Sequence, residues 1–262
     1  MTKETNTILF SPHSDDIAYS LGGALLLDYF KNPLMITVFS RSTFSPRIKL
    51  SSEEEITLKR KKEDEIFAET VGLSLETLHF PEPPLRGLDT DEKIFTSKAK
   101  SDPIFEEVSE AIYDIISSFP GSLVVSPLAL GNHIDHQIVL LSCIKACEDL
   151  GNPILFYEDI PYASWFTFKE IKQHIREINP DLTPTKLDVT SVFDKRLKNL
   201  RLYSTQIGKK IPAGVYTHSK RLDYEDEDLI DKFWVHSSFI SLFSHIARMN
   251  NGPRYECLWE LK

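Results

Sequence analysis

The chain has 262 residues and a formal net charge of −9, with 41% hydrophobic and 26% charged residues. That length buries a large core, and the acidic balance repels phosphates, which argues against generic nucleic-acid and anionic-membrane binding. No apolar run reaches the roughly 18–20 residues of a membrane span. The opening MTKETNT lacks the apolar centre of a signal peptide, and the three cysteines, Cys143, Cys147 and Cys257, are an odd, low count. Both features lead us to expect a reducing, cytoplasmic setting.

Short apolar runs alternate with longer amphipathic ones. In chain order the pattern predicts strands over Thr7–Phe10, Leu34–Phe39, Thr77–Phe80, Ser122–Ser126, Ile154–Tyr157 and Lys186–Val189. Helices are predicted over Ala18–Phe30, Glu53–Val71, Phe105–Ser117, Ile134–Leu150, Phe166–Ile178 and Val192–Ile207. Strands apolar at nearly every position suit a parallel sheet covered on both faces. The alternation predicts one doubly wound α/β domain over residues 1–262. Gly22-Gly23 lacks a full nucleotide-binding fingerprint and reads as close helix–sheet packing. Residues 209–262 read as an extension of the same domain. Within it, Lys209–Asp228 is a surface loop by default, with a lid as the alternative. The acidic run Glu225–Asp228 then precedes an amphipathic helix with Leu229, Phe233, Ile240 and Phe243, packed on the body or on a second subunit of a homo-oligomer.

Two polar clusters follow predicted strands: Pro12-His13-Ser14-Asp15-Asp16 after the first and Gly131-Asn132-His133-Ile134-Asp135-His136 after the fourth. Ligands in such sheets bind at the carboxyl ends of strands. If the two strands are neighbours, the clusters face one another. His13, Asp16 and His136 offer two imidazoles and a carboxylate, the donor set of an open catalytic zinc site. Asp15 is then free to act as a base, and His133 to reach a reacting carbonyl, its ring held by Asp135. The plainer alternative is that Asp15, Asp16 and Asn132 cap helices. Arg41, Arg60 and Arg86 follow or flank the rim and are candidate substrate contacts. Tyr157-Glu158-Asp159 reads as structural support, with Asp159 a candidate partner for a ligand.

The chain resembles the LmbE-like (PIG-L) metal-dependent N-deacetylases. Their first motif, typically P-H-P-D-D-E, stands here as Pro12-His13-Ser14-Asp15-Asp16-Ile17, and their H-x-D-H as His133-Ile134-Asp135-His136. Further matches are Arg60-Lys61-Lys62-Glu63-Asp64, Pro83-Pro84-Leu85-Arg86-Gly87, Tyr157–Tyr162 and Tyr203-Ser204-Thr205-Gln206. The resemblance implies a Rossmann-like fold, one zinc (or Fe2+ or another divalent ion) on His13, Asp16 and His136, Asp15 as general base, and His133 oriented by Asp135. It also implies hydrolysis of an N-acetyl amide on a small amino-sugar substrate. Ser14 and Ile17 depart from the family motif. Two other readings remain open: a metal-dependent amidohydrolase for another N-acyl metabolite, and a non-catalytic sugar- or nucleotide-binding protein.

Overall fold

The computed structural model describes residues 5–223 and 252–261. In chain order its elements are β1 (Thr7–Ser11), α1 (Asp16–Leu26), β2 (Pro33–Arg41), α2 (Glu53–Val71), β3 (Ser74–Pro81), α3 (Asp91–Thr96), α4 (Phe105–Ser118), β4 (Leu123–Pro127), α5 (Ile134–Leu150), β5 (Ile154–Tyr157), α6 (Phe168–Ile178), β6 (Leu182–Asp188), α7 (Phe193–Asn199), α8 (Lys210–Arg221) and β7 (Tyr255–Leu261).

Strand β1 shows how the layers arise. All five of its residues are buried. Leu9 packs into one apolar cluster with Ile17, Leu21 and Phe67 from α1 and α2. Ile8 and Phe10 pack into a second with Val108, Ile112 and Ile138 from α4 and α5. Successive strand residues face opposite ways, so an all-apolar strand needs helices on both sides. Each such side chain, fully buried, contributes about 1.5–3 kcal/mol relative to exposure.

The sheet has seven strands in the order β3-β2-β1-β4-β5-β7-β6. Strands β1 to β5 pair in parallel, and β7 runs antiparallel to both β5 and β6. The expected doubly wound, mostly parallel sheet with helices on both faces is therefore what forms. From β1 the chain builds outward to β2 and β3, then returns to place β4 and β5 on the other side. The crevice between β1 and β4 is thus the topological switch point. Three buried free cysteines lie in the body, Cys143 and Cys147 on α5 as expected.

Several expectations need correction. Residues 210–221 are not a loop but the helix α8, with His218, Ser219, Lys220 and Arg221 buried. Residues 255–261, where no strand is predicted, form β7 inside the sheet, between β5 and β6. The single helix expected over Val192–Ile207 stops at Asn199, followed by a 3-10 turn, Leu200–Leu202. Buried acids on α2 draw the chain away: Glu63 accepts from Ser204 Oγ (2.6 Å) and Thr205 N (3.0 Å), and Asp64 from Tyr203 Oη (2.9 Å). Strand β6 begins at Leu182 and contains Pro184, tolerated because β6 is an edge strand. The acidic run 225–228 and the amphipathic helix read over 229–247 lie outside the described residues. Gly23 does mark close packing: a Cβ there would lie 2.7 Å from both Glu256 Oε1 and Val189 Cγ1.

Candidate metal centre

Parallel pairing of β1 with β4 sets the two polar clusters side by side at the strands' carboxyl ends. Neither Asp15 nor Asp16 caps α1 with its side chain. Asp16 Oδ2 instead accepts from His13 N (2.8 Å) and lies 3.3 Å from His13 Nδ1 and 3.4 Å from His136 Nε2. The loop after β4 reaches its geometry through left-handed backbone at Ala129, Gly131 and Asn132, the kind of strain that collects at functional sites. Helix α5 is capped by His133 itself, whose Nδ1 accepts from Asp135 N (3.2 Å), and not by Asn132.

One donor atom each from His13, Asp16 and His136 lies within 4.8 Å of the others. A tetrahedral zinc site with bonds of about 2.0–2.1 Å has ligand–ligand edges of about 3.3–3.4 Å. The two edges from Asp16 have that length already. His136 is fully buried, yet its Nε2 has no hydrogen bond. An orphaned buried nitrogen of this kind is costly unless something occupies the space before it. The outer nitrogen of each imidazole rests on a carboxylate: His13 Nε2 on Asp135 Oδ2 (2.9 Å) and His136 Nδ1 on Asp159 Oδ1 (2.6 Å). That carboxylate–histidine arrangement orients metal-binding rings. The donor set and its supports fit a divalent ion.

Asp135 does not hold the His133 ring with its carboxylate, as expected from sequence. Its second oxygen accepts from Arg86 Nη2 (2.6 Å), which also meets Asp102 (3.0 Å). Arg60 is only 3% exposed; its Nη1 donates to Ser42 (2.9 Å) and forms an ion pair with Glu82 (2.7 Å), and Nη2 lies 3.9 Å from Asp15. Arg41 sits outside, paired with Glu53 at 2.9 Å. The structure therefore brings His13, Asp15, Asp16, His133, Asp135 and His136 together, with Arg60 and Arg86 behind them. Ser14 is buried with its hydroxyl unpartnered, and Ile17 is core.

Burial and the adjacent Asp16 push the Asp15 carboxyl up to about 6, with Arg60 opposing. Burial pulls Asp16 upward too, but the facing His136 and His13 outweigh it and hold Asp16 below the usual range. Burial, then the charge of His13, keep His133 well below an ordinary imidazole. Both effects favour the uncharged ring. Because its Nδ1 is an acceptor, its proton sits on Nε2.

The family model PIG-L, GlcNAc-PI de-N-acetylase, matches residues 8–147, and a curated relative is 30% identical over 220 residues. The chain belongs to the PIG-L family. That relative is the 2'-N-acetylparomamine deacetylase of Streptomyces fradiae; the match covers 82% of this chain and 78% of the relative. Among solved structures, the A40926 pseudoaglycone deacetylase Dbv21 superposes with a TM-score of 0.64 at 21% identity, over 98% of this chain and 97% of that one. A zinc-inhibited form of the teicoplanin deacetylase Orf2 gives a TM-score of 0.61 at 19% identity, over 97% and 96%. This PIG-L chain has no helix among its described residues long and apolar enough to cross a membrane.

Proposed function

We propose that the protein is a metal-dependent N-deacetylase that releases acetate from the amide nitrogen of an amino sugar. The observation that carries the reading is the buried, unpartnered His136 Nε2 facing Asp16 Oδ2, which also faces His13 Nδ1. These three residues hold the ion, zinc by donor chemistry, with Fe2+ as the alternative. When bound, the ion supplies Lewis acidity, lowering the pKa of water toward about 7 and polarising a carbonyl.

The chain's own residues do the rest. Asp15, with a carboxyl near neutrality, takes a proton from the attacking water, whose oxygen bonds to the acyl carbon. His133 Nε2–H donates to the carbonyl oxygen as it gains charge. Arg60 holds the Asp15 side of the crevice by charge. The C–N bond then breaks, the proton on Asp15 passes to the nitrogen, and free amine and acetate leave. The PIG-L relationship and the named activity of the Streptomyces relative support an amino-sugar acceptor. The test is acetate release from N-acetylated paromamine and N-acetylglucosamine glycosides by chelated and metal-reloaded protein. Metal-dependent release is expected; no release from any sugar, with release from N-acetyl amino acids, would overturn the choice of acceptor.

A further inference from the structure

Three aromatic rings, Phe95, Tyr162 and Trp165, lead from the buried histidines to the surface, and the hydrolysis described above makes no use of them. His136 is fully buried and His133 is 8% exposed. Tyr162 is half-buried and meets the His136 ring edge-on at 5.5 Å and His133 at 6.4 Å. Phe95, on α3, meets His133 at 5.5 Å and Tyr162 at 5.9 Å. Trp165 packs edge-on against Tyr162 at 5.2 Å and is 52% exposed. Exposure rises from the buried histidines through Phe95 and Tyr162 to Trp165.

Tyr162 is fixed in place by Gly131, whose backbone lies at φ +88; a Cβ there would lie 2.9 Å from Tyr162 Cδ1. Its ring is therefore set before ligand arrives, which reduces the ordering cost of binding. Among the described residues, Arg60 pairs with Glu82, Arg86 with Asp135 and Asp102, Arg41 with Glu53 and Lys93 with Asp89. A phosphate at the mouth would find none of these guanidiniums free. Flat aromatic faces suit the C–H face of a pyranose, and an ammonium group adds cation–π attraction.

We propose that Phe95, Tyr162 and Trp165 form the acceptor wall, on which a sugar ring next to the acetylated one stacks, in a glycoside that carries no phosphate. The proposal rests on the N-deacetylase reading and adds its acceptor specificity. It is tested with metal-loaded wild type, Trp165→Ala, Trp165→Phe and Phe95→Leu, using N-acetylglucosamine, N,N'-diacetylchitobiose and N-acetylglucosamine 1-phosphate. Calorimetry with the corresponding free-amine sugars gives binding independently of turnover. Trp165→Ala is expected to raise KM and Kd for the disaccharides about five- to tenfold, to leave the monosaccharides within about twofold, and to leave metal content unchanged. Trp165→Phe should restore most of the loss, and Phe95→Leu should follow the same trend. Equal losses on mono- and disaccharide, no loss on either, or tighter binding of the phosphate than of the neutral sugar would overturn the wall. Absence of acetate release from every sugar would count against the deacetylase reading alone, since binding still reports on the wall.

Discussion

Asp15 and Asp16 are neighbours in sequence with opposite electrostatic fates, and the difference assigns their work. Asp16 faces two imidazoles, whereas Asp15 faces burial, Asp16 and a guanidinium at 3.9 Å. Asp15→Asn is expected to keep its metal and lose kcat by about 10²–10⁴-fold; elemental analysis beside turnover checks both halves. His136→Ala should lose the metal itself, and full occupancy in that variant would remove His136 from the ligand set. A third outcome belongs to the supports. Asp135→Asn and Arg86→Met should each weaken metal binding about 10–100-fold, read by chelator competition, because Arg86 steadies Asp135 and Asp135 steadies His13. A KM increase with unchanged metal affinity would instead return Arg86 to substrate contact. The local clusters were legible from sequence because His13, Asp15 and Asp16 lie within one turn of chain. The pairings of Asp135 and Arg86 were not, since partners 49 residues apart are chosen only by the folded crevice.

At the scale of elements, β1, β2, β4 and β5 were readable because each is a largely apolar run ended by turn residues, whereas β3 (SLETLHFP) mixes polar and apolar positions and only its Thr77–Phe80 half was read. Helix α8 was not, because its buried face is polar. His218 pairs with Glu158, and Arg221 donates to the carbonyls of Ala163 (2.7 Å) and Phe166 (2.5 Å). Hydropathy sees no stripe where hydrogen bonds do the packing. Strand β7 was missed for a related reason: its buried Glu256 looks like a surface residue. In the fold it accepts from Gly23 N (2.7 Å) and Ala24 N (2.8 Å) on α1 and pairs with Arg196 Nε (3.0 Å). Gly23→Ala should therefore destabilise by about 1–3 kcal/mol through overpacking, measured by urea denaturation; a change under about 0.5 kcal/mol would mean that β7 and α1 separate easily.

For the whole molecule, metal and proton compete. Burial opposes charge on His13 and His136, but Asp135 and Asp16 raise His13, and Asp16 and Asp159 raise His136. A raised imidazole stabilises the metal-free fold below about pH 6.5, and that contribution is lost as pH rises through the folded value. Ligation needs both rings unprotonated. The gain in Tm on adding zinc to chelated protein should thus grow between pH 5.5 and 7.5; an equal gain at both would contradict the ligand set. The clamp of Glu256 on α1 carries a consequence for biosynthesis. Asp15 and Asp16 stand at the start of α1, but the residue that grips that helix is made some 240 positions later, on a strand that must slot between β5 and β6. A ribosome-bound chain stopped short of residue 255 holds the donor residues without the grip. That contact between β7 and α1 therefore forms only after synthesis has passed that point.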